Sequence, residues 1–198
     1  MALASAKRLL QLVRGRKRNS TLADGIGERS FENRPDRLFS DSQSTPTLVE
    51  NSPSTLDYFR SQVGKTLDRT PSAAGNWLAG TLLEVEVHAI KVAYTVRPDQ
   101  CNPGRILHGG IASLMLDDVI GMGNFVAGSE FLMTSINLSV DFLSAAQVGE
   151  RLEVSARLVR SGSNLNHWEA EIRKESGKIV AKASSNLIKT HVRIADLG

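Results

Sequence analysis

A single long helical segment stands between two groups of strand-like segments, and this order constrains the fold more than any other feature. Residues 109–126 have the apolar spacing of a helix. Before them, residues 81–98 are rich in Val, Thr, Ile and Tyr and predict two strands, or one bent strand, broken near His88–Ala89. Four further strand candidates follow: 131–143, 150–160, 165–175 and 178–190. This order predicts an α+β domain in which the helix packs on an antiparallel sheet.

Composition divides the chain into segments. Residues 1–23 hold six Lys or Arg and no acid, and their leucines share one helical face, which is typical of a mitochondrial transit peptide. The alternatives are a disordered basic tail, a stretch upstream of the true start, or an arm on nucleic acid. Residues 24–54 predict a disordered linker, residues 55–190 the folded domain, beginning with a short helix at Thr55, and residues 191–198 a tail. A genuine transit peptide predicts the mitochondrial matrix; otherwise we expect the cytoplasm.

The net charge of +3 comes from the N-terminal segment, because the other 175 residues hold 18 basic and 21 acidic side chains, a net of −3. The body of the chain therefore has no basic excess of the kind that nucleic-acid binding requires. No apolar run reaches the roughly 18–20 residues of a membrane span. One cysteine and four histidines without ligand spacing predict no structural metal site, and no cofactor is expected.

The stretch HGGIASLMLDD, residues 108–118, places two glycines at the start of the long helix. A helix N-terminus offers unpaired backbone N–H groups and a partial positive charge. Glycines there allow close approach, so Gly109 and Gly110 can donate N–H groups to a carbonyl oxygen that gains negative charge, as an oxyanion hole. The alternative is that they only form a tight turn into the helix.

Two neighbouring acids fall within the same helix, on different sides. A helical wheel puts Asp118 inside an apolar face and Asp117 on a small or polar side that could border a cleft. The apolar face comprises Ile111, Leu114, Met115, Met122, Phe125 and Val126, and the polar side Ser113, Gly121 and Asn124. Asp117 can then act as general base or nucleophile, or is a solvated surface acid. Asp118 is then a buried acid satisfied by backbone or Arg, or else the phase of the helical wheel is wrong.

The following strand, residues 131–143, alternates between apolar and polar side chains. One predicted face carries Thr134 and the apolar side chains of Leu132, Ile136, Leu138, Val140 and Phe142. The other carries Ser135, Asn137, Ser139 and Asp141.

These features resemble the PaaI-like branch of the hotdog-fold acyl-CoA thioesterases. The resemblance covers roughly residues 55–190 and depends on Asn102 six residues before His108, the triplet His108–Gly110, Asp117 nine residues after His108, and Ser135 in the following strand. It implies a hotdog fold, in which an antiparallel sheet wraps around one long central helix. It also implies a homodimer or homotetramer with active sites at the subunit interface.

The resemblance implies hydrolysis of acyl-CoA to free acid and CoA. Asp117 would activate water or attack the thioester, and Gly109, perhaps with Gly110, would polarise its carbonyl. Asn102 and His108 would order the site, and Ser135 would position water. Asp117 would come from one subunit and the Asn102–Gly110 loop from the other. The family pattern leaves Asp118 unexplained.

The turn at residues 159–164 offers Arg160 and backbone N–H groups to CoA phosphates, or is a simple hairpin turn. A non-catalytic acyl-CoA binding or sensing protein on the same fold is the alternative function, although a pure binder does not need Asp117. A hotdog hydratase would need a histidine after Asp117 in the helix, and none is present.

Overall fold

The computed structural model describes residues 55–197, and the predicted long helix and strands are confirmed there. The helices are α1 (Thr55–Ser61), α2 (Ala73–Leu78) and α3 (Gly109–Val126), with 3₁₀ turns at Pro98–Gln100 and Ile194–Leu197. The strands are β1 (Thr81–Glu86), β2 (Ala89–Thr95), β3 (Phe131–Phe142), β4 (Arg151–Ser161), β5 (Leu165–Lys174) and β6 (Ile179–Arg193). Residues 81–98 thus form two strands. The basic segment 1–23 and the linker 24–54 lie outside the described residues.

The six strands form one antiparallel sheet in the order β1-β2-β4-β5-β6-β3. The strand after the central helix, β3, is therefore added beyond β6 and ends the sheet at one edge, while β1 ends it at the other. Helix α3 contacts β2 and all four strands that follow it, so the sheet wraps around the helix. This is the predicted α+β architecture. Within residues 55–197, no helix is long and apolar enough to cross a membrane.

The face that α3 turns toward the sheet differs from the face predicted by the helical wheel. Its most buried residues follow the spacing of a helix and comprise Ala112, Met115, Leu116, Val119, Ile120, Gly123 and Val126. Ile111, Leu114, Met122 and Phe125 are only half-buried at the margin of the core. The wheel failed because α3 is apolar over most of its circumference: α1 and α2 pack on it as well as the sheet.

Asn124 is also corrected, from the border of a cleft to the core. Its Oδ1 accepts hydrogen bonds from Asn166 Nδ2 at 2.8 Å and from the indole Nε1 of the fully buried Trp168 at 3.2 Å. The neighbouring Gly123 lets the helix approach this ring, because a Cβ at that position would lie 2.8 Å from the Trp168 side chain. Asn124 therefore satisfies buried donors and is not available to a substrate.

A β-bulge changes the predicted faces of β3. The pairing register with β6 shifts between Ser135 and Asn137, so the alternation restarts at that point. Ser135 faces the helix, and beyond the bulge so do Leu138 and Val140, while Ile136 is exposed. The prediction of one unbroken apolar face was therefore wrong. At the other end of the chain, β6 runs to Arg193, past the predicted boundary at residue 190, because it continues to pair with β3.

Candidate active site

The N-terminus of α3 leaves one backbone donor unoccupied. His108 is the N-cap residue, and its Nδ1 accepts a hydrogen bond from the Gly110 N–H at 2.9 Å. Its carbonyl oxygen accepts from the N–H groups of Ile111 and Ala112 at 2.9 and 3.0 Å. Among the residues from 55 to 197, the Gly109 N–H has no acceptor. Of the two glycine N–H groups that the sequence offers as donors, only that of Gly109 is left for a ligand. It lies at the positive end of an 18-residue helix.

The loop before the helix orients Asn102. Its Oδ1 accepts a hydrogen bond from the Gly104 N–H at 2.9 Å, and its backbone pairs with Ile106. Because the oxygen is used inside the turn, the Nδ2 amino group is left as a donor. No acceptor for Nδ2 is found within residues 55–197. Asn102 thus holds its own loop with one end of its amide and can offer the other end to a ligand.

Gln100, a residue that the sequence did not indicate, binds the start of α3 to this loop. The carbonyl oxygen of Gln100 accepts a hydrogen bond from the His108 N–H at 2.9 Å. The Gln100 side chain is almost fully buried, and its Oε1 accepts from the Arg97 N–H at 2.9 Å. Gln100 therefore sets where the loop meets the helix. A polar side chain in a loop rich in polar residues gives no sequence signal for this role.

Two turns along α3, Asp117 is held from the side of β3. The Ser135 hydroxyl donates to Asp117 Oδ1 at 3.0 Å, and Ser135 lies immediately before the bulge in β3. Asp117 is half-buried, and its Oδ2 accepts no hydrogen bond within the described range. The carboxylate is therefore positioned through one oxygen and open to a water molecule at the other. The structure thus brings together Asp117 and Ser135, two of the residues that the sequence proposes for the site.

The distance between Asp117 and Gly109 limits how they can cooperate. They are eight residues apart, which places their backbones about 12 Å apart along the helix axis. The N–H groups of a helix point toward its N-terminus, so a carbonyl bound at Gly109 would lie farther still from Asp117. The Asp117 carboxylate and the Gly109 N–H of one chain therefore cannot act on the same small chemical group.

Asp118 faces helix α2, and its pKa is shifted by that environment. The Ser72 hydroxyl donates to Asp118 Oδ1 at 2.9 Å, and no Lys or Arg pairs with this carboxylate within residues 55–197. Burial raises the pKa of Asp118, the hydrogen bond from Ser72 opposes that shift, and the charge of Asp117 adds to it. The predicted partner, backbone or Arg, is replaced by a serine hydroxyl.

Phe142 and Arg160 are the remaining side chains to be placed relative to the site. Phe142 is 58% exposed and lies beside Gly109, because a Cβ on Gly109 would come within 3.3 Å of the Phe142 ring. Arg160 is exposed near the end of β4, paired in register with His167, and no contact joins it to Asp117 or the Asn102 loop in the described chain. Within residues 55–197, no group of three His, Cys, Asp or Glu side chains could hold a metal ion.

Comparison with known proteins gives consistent matches. The family model of the thioesterase superfamily matches residues 104–181, which include Asp117 and Ser135. A provisionally named esterase of Pseudomonas aeruginosa is 35% identical over 97 residues, covering 47% of this chain and 69% of the relative. Acyl-coenzyme A thioesterase 13 of mouse is 21% identical over 103 residues, covering 52% of this chain and 74% of the relative.

A solved structure supports the fold independently. The PaaI protein of the Escherichia coli phenylacetic acid degradation operon superposes with a TM-score of 0.59 at 19% identity, covering 62% of this chain and 88% of that protein. At this identity the likeness concerns the fold, and it confirms the hotdog architecture expected from the sequence.

Proposed function

The chain belongs to the thioesterase superfamily, whose members act on thioesters, and from this premise we propose that it hydrolyses acyl-CoA to a free acid and CoA. One observation carries the proposal: Ser135 holds Asp117 through one oxygen, while within residues 55–197 the other oxygen and the Gly109 N–H of the same helix have no hydrogen-bond partner. The first supplies a base or nucleophile, and the second supplies a donor for the thioester oxygen. The mouse relative, an acyl-coenzyme A thioesterase by name, supports CoA as the thiol.

The chemistry follows from these groups. The Gly109 N–H, with the Nδ2 amino group of Asn102 as a second donor, donates to the thioester carbonyl and stabilises the oxyanion that forms. Asp117 removes a proton from water, and the resulting hydroxide attacks the carbonyl carbon. The tetrahedral intermediate collapses with cleavage of the C–S bond, and the CoA thiolate takes up a proton. Direct attack by Asp117, with later hydrolysis of the anhydride, is the alternative route to the same products.

We further propose that each active site combines two subunits of a homodimer. Because Asp117 and Gly109 of one helix are too far apart, a two-fold axis that sets two copies of α3 antiparallel would bring Asp117 of one chain to Gly109 of the other. Exposed apolar side chains on the edge strand β3 and directly after it support such an interface. Ile136 and Phe142 in β3 and Leu143 after it are 56%, 58% and 56% exposed, although they are large and apolar.

Thiol release from a panel of acyl-CoAs tests the proposal. We expect turnover by the wild type and a loss of about 10²–10⁴-fold in kcat for Asp117→Ala, the range of general acid–base catalysis. Ser135→Ala should lose about tenfold, since a hydrogen bond to a charged group contributes about 1.5 kcal/mol. Ser139→Ala, a serine exposed on the same strand, is the matched control.

The non-catalytic alternative makes the opposite prediction. A protein that only binds or senses acyl-CoA would retain CoA affinity without releasing thiol from any member of the panel. Wild-type activity that Asp117→Ala leaves intact would instead mean that another group performs the chemistry.

A further inference from the structure

The short helix α2 is anchored to the central helix through Asp118. Ser72, the N-cap residue of α2, accepts a hydrogen bond from the Gly75 N–H at 2.9 Å and donates to Asp118 Oδ1 at 2.9 Å. The two helices meet closely, because a Cβ at Gly75 would lie 2.8 Å from Asp118 Oδ2. The Ser72 hydroxyl thus caps the N-terminus of α2 and also binds α2 to α3.

The opposite end of α2 is anchored to the loop that carries Asn102 and His108. The Arg97 guanidinium donates to the carbonyl oxygens of Leu78 and Trp77, both at 3.0 Å, and lies 5.0 Å from the centre of the Trp77 ring. Arg97 is also the N-cap residue of the 3₁₀ turn that leads into this loop. Helix α2 therefore spans from the residue next to Asp117 to the start of the loop.

The two neighbouring acids are consequently held from opposite flanks. Ser135 on β3 holds Asp117, and Ser72 before α2 holds Asp118. Asp118 faces the backbone of α2 at Gly75, where the close contact leaves no room for a substrate atom. Its carboxylate cannot replace that of Asp117 without breaking the contact with Ser72.

We propose that Asp118 is a positioning residue, which fastens α2 across the central helix through Ser72 and so fixes the orientation of the catalytic Asp117. Arg97 holds the other end of α2, so the segment from Ser72 to Leu78 connects the residue next to Asp117 to the loop that carries Asn102 and His108. The inference rests on the proposed thioesterase function and adds a role for the second acid. The hydrogen-bond acceptor of Asp118 performs this role, and its charge is not required.

Steady-state kinetics on four variants test the proposal: Asp118→Ala, Asp118→Asn, Ser72→Ala and the double alanine variant. We expect Asp118→Ala and Ser72→Ala each to lower kcat about five- to twentyfold with KM changed less than twofold. Because both remove the same hydrogen bond, the double variant should lose no more than the larger single loss. Asp118→Asn keeps an acceptor for Ser72 and should stay within about threefold of the wild type. Asp68→Ala, an exposed acid before α2, is the matched control and should match the wild type.

The possible results separate the two proposals. Wild type without thiol release would overturn the function, independently of Asp118. Active wild type with Asp118→Asn as inactive as Asp117→Ala would show that Asp118 is itself the base and overturn the positioning role. Alanine variants that melt at lower temperature but keep full kcat, or losses that simply multiply in the double variant, would also overturn it. If Asp118→Ala does not fold, Ser72→Ala on the other side of the same hydrogen bond decides the matter.

Discussion

The Gly110 N–H donates to Nδ1 of His108 at 2.9 Å, and this hydrogen bond decides which backbone group of the helix start is left for a substrate. With the next two N–H groups bound to the His108 carbonyl oxygen, Gly109 keeps the free donor. Accepting through Nδ1 also places the proton of a neutral His108 ring on Nε2. The two glycines are therefore not equivalent: the Gly110 N–H is used by the cap, and the Gly109 N–H has no acceptor within residues 55–197.

Replacing Gly109 by proline tests this assignment. Proline lacks the N–H but is well tolerated at the first position of a helix, and the extended backbone of His108 (ψ 133°) is compatible with a following proline. We expect kcat to fall by about 10²–10³-fold, the typical effect of losing one oxyanion donor, while the helix still forms. Kinetics with acyl-CoA, together with circular dichroism, measure the two effects.

The control for this substitution is Gly109→Ala, which keeps the N–H and introduces a Cβ in the same place. That Cβ would lie 3.3 Å from the Phe142 ring, so any crowding should affect alanine and proline similarly. If the two variants are equally active, the Gly109 N–H is not the donor that the reaction uses.

His108 has a structural role that can be separated from any role of its imidazole ring in the reaction. His108→Ala removes the acceptor for Gly110 and should lower the free energy of unfolding by about 1 kcal/mol, a typical cost of losing an N-cap. His108→Asn restores a capping oxygen and should recover most of this stability. Urea denaturation of the three proteins gives the comparison. Equal stability of the alanine and asparagine variants would mean that the cap contributes nothing measurable.

The parts of the site that could be predicted from the sequence are those encoded over a short distance. The spacing of Asn102, His108 and Asp117 lies within a single loop and helix, where local pattern and backbone geometry determine which groups are presented. Only the family resemblance implied that Ser135 lines the site, and its hydrogen bond to Asp117 was not predicted. Strict alternation along β3 would put Ser135 and Leu138 on opposite faces of the strand. The bulge between Ser135 and Asn137 instead puts both on the face toward the helix.

The errors have a common cause in packing between distant segments. The helical wheel chose the wrong arc because α3 is covered by helices as well as by the sheet, so apolar side chains occur almost all around it. The partner of Asp118, Ser72, lies 46 residues away in a segment without a strong pattern. Such a contact forms only when the tertiary structure brings the two segments together.

The environment of Asp118 predicts how stability depends on pH. Burial and the Asp117 charge raise the pKa of Asp118 above the ordinary value of 3.8, so the folded chain binds this proton more tightly than the unfolded chain. Stability from this group is therefore complete below about pH 3.8 and is lost as the pH rises through the folded pKa. Asp118→Asn keeps the acceptor for Ser72 and removes the buried charge. We expect its melting temperature to match the wild type in acid and to exceed it at neutral pH.

Melting curves of both proteins between about pH 4 and pH 7.5 test this dependence. The neighbouring titratable groups are Asp117 and the buried Tyr94, whose pKa is raised by burial and by Asp118 and which stays neutral in this range. Asp68→Asn, at an exposed acid, controls for general effects of net charge. A difference in melting temperature that is constant with pH, or larger in acid, would contradict a raised pKa of Asp118.

Complementation between two inactive variants tests the shared active site. In a dimer of Asp117→Ala with Gly109→Pro, one site has lost both its acid and its oxyanion donor. The other combines an intact Asp117 from one chain with an intact Gly109 from the partner. Co-expression with two different tags and purification on both should therefore restore up to about half of the wild-type kcat, since a two-fold dimer has two equivalent sites. If each site lay within one chain, both would be defective, and activity would stay at the level of the separate variants.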